Sequence, residues 1–144
     1  MPISKTEIIP ELLKECPEFQ QAWDEHNEFW KGEAPGDYND ASGIINALIK
    51  AYGRGCTAFF PRFFGFVERL ITDGDAEVRN IAVVGYLETL QTSASWEEYG
   101  PEVFVQWMQP ESKKWWNQIR KWWEGGKNLM DIAIEEAEQN KNQR

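Results

Sequence analysis

Gly74-Asp75-Ala76-Glu77-Val78-Arg79-Asn80-Ile81-Ala82-Val83-Val84-Gly85-Tyr86-Leu87-Glu88-Thr89-Leu90 is the stretch that decides the fold of this chain. Gly74 is placed to close one helix and Asp75 to cap the next, its carboxylate accepting an N–H that no carbonyl of the helix reaches. Val78, Ile81, Ala82, Gly85 and Leu90 then recur near helical spacing and build an apolar face. The pattern predicts a helix from Asp75 to Gln91.

Helical patterning continues on both sides. Upstream, Thr57 is a candidate cap for a helix reaching Ile71, with Phe59, Phe60, Phe63, Phe64, Phe66, Val67 and Leu70 apolar nearly all round. Such a helix belongs at the centre of a fold. Before it, Ile44, Ile45, Leu48 and Ile49 mark a helix from Asp40 to Tyr52, and Gly32 to Asn39 reads as a loop. Ser4-Lys5-Thr6-Glu7 is a capping box opening a helix to Glu15, with Ile8, Leu12 and Leu13 inward and Pro10 predicted to bend it. Pro17 opens a second helix to Lys31 carrying Phe19, Trp23 and Trp30. Downstream, Thr92 to Ser95 reads as a turn and Pro101 to Met108 as a short helix. Pro110 starts a long helix to Glu124 with Trp115, Trp116, Ile119, Trp122 and Trp123 on one wide face. Gly125-Gly126 breaks the pattern before a tail helix whose end frays. No Asn-Gly or Asp-Gly hairpin flanked by alternating apolar residues occurs, since Asp73-Gly74 lies between two helical patterns.

The expected architecture is a single all-α domain of antiparallel helical hairpins, seven to eight helices in all. Residues 1–31 form an N-terminal helix pair, 40–91 the core, 96–124 the Trp-rich C-terminal helices and 127–144 the tail helix. The 144 residues suffice for one sizeable core. No run approaches the apolar length of a membrane helix, and Met1 to Glu7 lacks the basic and apolar regions of a secretion signal. A cytoplasmic location with Cys16 and Cys56 as reduced thiols is the expectation.

Charge is distributed in blocks. Residues 1–40 carry net −7 and 73–112 net −7, whereas 41–72 carry +3 and 113–144 carry +2, within a total of −9. The two acidic blocks interleave carboxylates with large aromatics. One supplies Glu25, Glu28, Trp30, Glu33, Asp37, Tyr38 and Asp40; the other supplies Trp96, Glu97, Glu98, Tyr99 and Glu102. Aromatics anchor protein interfaces, and acids add steering and complementarity toward a basic partner. These twelve residues are the candidate partner-binding set. The bland alternative makes the aromatics core and the acids its solvated rim. The overall charge disfavours nucleic acid and anionic membrane as ligands. Lys113-Lys114-Trp115-Trp116 through Trp122-Trp123 could touch either, but it reads first as an amphipathic helix with lysines at its edges.

Chemistry is hard to find. His26 is the one histidine; Asp24 and Glu28 share one helical face while His26 points elsewhere, and it reads as part of an exposed helix face. A metal needs at least three convergent ligands, and a histidine-based triad would rest on this single residue. Gly53-Arg54-Gly55 is a helix stop, with no phosphate-binding Gly-x-x-x-x-Gly-Lys anywhere. Neither cysteine has metal-like spacing, and both read as structural. The expectation is a non-enzymatic protein without metal or cofactor.

Asp75, followed by Val78-Arg79 and small or apolar residues every three to four positions, resembles the second helix of a HEAT-type hairpin. With Phe63-Phe64-Gly65-Phe66-Val67-Glu68-Arg69-Leu70, Val83-Val84-Gly85-Tyr86-Leu87-Glu88 and Cys16-Pro17-Glu18-Phe19, the chain resembles a bacterial family of small all-helical, HEAT-like proteins without assigned enzymatic activity. Some of its members resemble immunity proteins of polymorphic or contact-dependent toxin systems. The similarity spans residues 5–108, and the Trp-rich segment after Pro110 departs from it. It implies a right-handed HEAT-like stack, monomeric or weakly dimeric, that binds and neutralises a basic toxin such as a nuclease. The alternative is a HEAT-like adaptor or regulatory scaffold with an endogenous protein partner.

Overall fold

The computed structural model describes residues 2–124, so the Gly125-Gly126 break and the tail helix expected over 127–144 lie outside the described residues. Within them the regular structure is all-helical, apart from an isolated bridge between Ile3 and Gly74. The Ser4 N–H and hydroxyl both donate to Glu7 Oε1, at 3.1 and 2.8 Å, and so start a 3₁₀ turn over Lys5–Glu7. Helix α1 (Ile8–Glu15) follows directly. Pro10 falls in its first turn, where a missing N–H costs least, so the proline helps open the helix. Pro17–Phe19 form a second 3₁₀ turn into α2 (Gln20–Trp30), which ends on Lys31 in the left-handed conformation at φ 47°.

The loop expected over Gly32 to Asn39 is shorter. Gly36, at φ 102°, turns the chain straight into α3 (Asp37–Gly53), three residues earlier than the pattern predicts. Asp37 and Asp40 complement the positive end of that helix, which favours the early start. Thr57 does not cap the next helix with its side chain. Its backbone carbonyl takes the Phe60 N–H at 3.0 Å, and α4 runs Phe60–Asp73 with Pro61 in its first turn.

The deciding stretch is helical and longer than expected. Asp75 Oδ1 accepts the Val78 N–H at 2.9 Å, as an N-cap should. Helix α5 (Ala76–Asn80) passes into a π-helical segment, Ile81–Glu88, and then into α6 (Thr89–Ala94), which absorbs most of the turn expected over Thr92 to Ser95. Of the π segment, Ile81, Ala82, Val83, Gly85, Tyr86 and Leu87 are all buried. The buried face is therefore wider than the α-helical spacing in the sequence suggests. Gly85 lets α3 approach closely, because a Cβ there would lie 3.1 Å from the Ala41 Cβ. A 3₁₀ helix over Pro101–Trp107 and α7 (Pro110–Glu124) complete the described fold.

Packing follows from these faces. Helix α3 lies against the π segment and α6 on one side and α2 on the other, while α4 contacts α1, α5 and α7. Helix α4 buries seven side chains from Phe60 to Ile71, but its outer stripe is charged. Arg62 there donates to Glu18 and to the Glu15 carbonyl, and Arg69 pairs with the Glu15 carboxylate. The 3₁₀ helix seats Phe104 and Trp107 against Tyr52, Phe60 and Phe64. On α7, Trp116 and Ile119 are buried, Trp115 and Trp122 are half-buried and Trp123 faces out. This is the amphipathic arrangement the sequence suggests.

One cross-chain contact fixes the start of α7. The Glu68 carboxylate of α4 accepts the Glu111 N–H at 3.0 Å, the Ser112 N–H at 2.8 Å and the Ser112 hydroxyl at 2.9 Å. A carboxylate at a helix N-terminus satisfies orphan donors and opposes the helix dipole. It also brings Trp116 inward, where its indole N–H donates to Glu102 and its carbonyl accepts from Gln91.

Candidate functional site

The candidate residues lie in two separate places. Glu25, Glu28 and Trp30 belong to the last two turns of α2, Glu33 to the loop, and Asp37, Tyr38 and Asp40 to the first turn of α3. Trp96, Glu97 and Glu98 follow α6, Tyr99 precedes the 3₁₀ helix Pro101–Trp107 and Glu102 lies within it. Tyr99 packs against Tyr52 in the last turn of α3, with tilted rings whose centroids lie 4.5 Å apart. The two groups thus meet α3 at opposite ends, about 21 Å apart along its axis.

In the first group, Asp40 is engaged internally. His26 Nε2 and Asp40 Oδ1 are 3.0 Å apart, and the imidazole lies flat against α3 because position 43 is glycine. A Cβ at Gly43 would stand 2.7 Å from His26 Nδ1. The exposed face expected for His26 is thus corrected: its side chain is only 13% exposed, stacked beside Trp23 and edge-on to Trp30. Sequence alone hides this, since the contact needs two helices and a missing side chain between them. Glu25, Glu28, Glu33 and Tyr38 are exposed, and Phe29, absent from the predicted set, is 77% exposed. Burial raises the phenol pKa of Tyr86, and the nearby carboxylates of Asp40 and Asp37 push it further up. Between α2 and α3 runs a groove of about 910 Å³ with Phe19, Ala47 and Phe59 on its floor, Glu25 on one wall and Lys50 and Arg54 on the other.

The second group divides in the same way. Glu102 serves the fold, accepting the Trp116 indole N–H at 3.1 Å and pairing with Arg120 at 3.4 Å. Tyr99 is half-buried, and burial, then the charge of Glu97, raises its phenol pKa. Trp96 is 86% exposed, while Glu97 and Glu98 are exposed with no ion pair among the described residues. Beside Trp96 lies a mostly apolar groove of about 360 Å³ lined by Thr92, Pro101 and the outward Trp123.

Sequence reasoning passed over Glu88. It ends the π segment, its Oε2 is shut off from solvent with no hydrogen-bond partner among the described residues, and burial alone pushes its carboxyl above the usual carboxylate range. It lines a hollow of about 210 Å³ with Val84, Thr89, Thr92 and Ser93. The signal available in the sequence is a single charge inside the apolar run from Ile81 to Leu90.

Among the described residues no group of three or more His, Cys, Asp or Glu side chains is arranged to hold a metal ion, and no helix is long and apolar enough to cross a membrane. Cys16 is buried, which raises its thiol pKa to about 11 against the opposing pull of Arg62. Cys56 is exposed, correcting the structural role expected for it.

The chain matches a domain of unknown function, DUF7674, over residues 9–124, and it belongs to that family. No curated protein and no solved structure matches it.

Proposed function

We propose that this protein works by binding another protein, and that the partner is a basic toxin domain which it neutralises by occlusion. In this reading the helices stack as antiparallel HEAT-like hairpins and act as a rigid frame for a contact surface. The observation that carries it is the exposed Trp96 beside two carboxylates, Glu97 and Glu98, that have no ion pair among the described residues. A tryptophan held in water next to a second outward tryptophan and an apolar groove is the composition of an interface anchor. The acids around it would steer a basic surface and set register. The α2–α3 end, with Phe29, Glu25, Glu28 and Glu33 exposed, is the second contact area.

The test is affinity purification from the native host, with the captured protein re-expressed and its binding measured. A basic domain held at one-to-one ratio is expected. Charge reversal at Glu28, Glu97 and Glu98 together should weaken it by about tenfold or more, with steep dependence on salt. An affinity indifferent to those three reversals would remove the electrostatic basis of the reading.

A further inference from the structure

The Glu88 hollow and the Trp96 groove share a wall. Thr92 lines both, and Glu88, Thr92 and Trp96 follow one another at four-residue intervals where α6 ends. One side therefore offers a recessed carboxylate among the hydroxyl-bearing residues Thr89, Thr92 and Ser93. The other, past the end of α6, offers an apolar slot between Trp96, Pro101 and Trp123. We infer that the two form one composite docking site, in which Glu88 receives a lysine or arginine side chain of a protein partner while an apolar side chain of the same partner fills the slot. This rests on the reading of a basic protein partner and specifies which of the two acidic regions holds its anchor.

The argument for a cation is chemical. An oxygen of Glu88 buried without a partner has given up its hydration with nothing in return. A guanidinium or ammonium group entering the hollow would pair with the open edge of this half-buried carboxylate and offset part of that loss. Of the hydroxyls at the rim, that of Thr89 is occupied within the chain, donating to the Val84 carbonyl. Arg120, the one basic side chain at the slot among the described residues, is engaged by Glu102 and Glu124. Glu97 and Glu98 keep the approach negative, which favours the same class of ligand. The exposed apolar surface beside the carboxylate calls for a side chain from a protein more than for a small polyamine.

The experiment uses the full chain and no unidentified ligand. Acetyl-arginine amide and its uncharged isostere acetyl-citrulline amide are titrated into isotopically labelled protein and followed by NMR. The arginine probe should shift the amides of Val84, Glu88, Thr92 and Ser93, and the citrulline probe should not. Glu88→Gln should lower the affinity of the arginine probe by about tenfold while the protein stays folded. Equal shifts by both probes, or equal binding to wild type and Glu88→Gln, would overturn the assignment. So would contacts between the Trp96 indole and the methyls of Leu129, Met130 or Ile132 in the probe-free protein, which would give the slot to this chain's own C-terminal segment. A Trp96 signal that moves with protein concentration would give the slot to a second copy and overturn the assignment equally. Because no partner is involved, failure here leaves the charge-reversal test of the broader reading intact.

Discussion

Two glutamates on neighbouring helices have opposite fates. Around Glu68 the junction of α4 and α7 is complete, with three donors converging on one carboxylate. Around Glu88, at the end of the π segment, a carboxylate lies partly buried with an oxygen that no described residue satisfies. The first builds the fold. The second costs stability. The difference separates the acids that hold this molecule together, with Asp40 and Glu102 among them, from those that no contact among the described residues engages.

The largest expected effect tests the first half of this contrast. Glu68→Ala leaves the buried Ser112 and the N-terminus of α7 without their acceptor and should cost about 3 kcal/mol in chemical denaturation. A loss under half of that would mean water replaces the carboxylate, and the contrast with Glu88 would weaken. Gly85→Ala probes the segment leading to Glu88. Its Cβ would press on Ala41 of α3, and the expected cost is about 2 kcal/mol. An unchanged denaturation midpoint would show that α3 yields easily.

Glu88→Gln should act in the opposite direction. Burial raises the folded-state carboxyl pKa, so the folded protein takes up this proton more readily than the unfolded chain does. The associated stability is present in acid and is lost as pH rises through the folded value. The neutral side chain should therefore raise Tm by about 1–3 °C at pH 7, with the gain vanishing by about pH 3.5. A lowered Tm at pH 7 would show that Glu88 is satisfied after all. The smallest effect concerns reactivity alone. With the Cys16 thiol at about 11 and buried, a maleimide should label Cys56 in the folded protein and reach Cys16 only on unfolding. Two labels under native conditions would reveal opening of the packing between α1 and α4.

The outline of the fold was legible wherever a local rule applies. Asp75 and Pro110 mark helix starts through groups within one turn of themselves, and both stand where the spacing put them. The π segment was not legible, because Ile81 to Leu87 is apolar nearly throughout and leaves no period to distinguish one helical form from another. The role of Asp40 was hidden for a different reason. Its partner is fourteen residues away, and the contact depends on Gly43 having no side chain. Glu68 reaches a helix more than forty residues downstream, which no local pattern records. Charge blocks identified two acidic regions, but only packing shows which acids in each are already occupied.

The π segment also works as a phase shifter. Residues that close wider turns let the second half of the helix start at a different angle from the one a continuous α-helix would dictate. Leu90, Gln91 and Ala94 face inward in that rotated frame. Deleting a single residue between Ile81 and Glu88 would turn everything beyond it by about 100°. Gln91 would swing away from the Trp116 carbonyl, the core would lose Leu90 and Ala94, and the surface carrying Thr92 would point somewhere else. The length of this stretch is therefore as constrained as its composition.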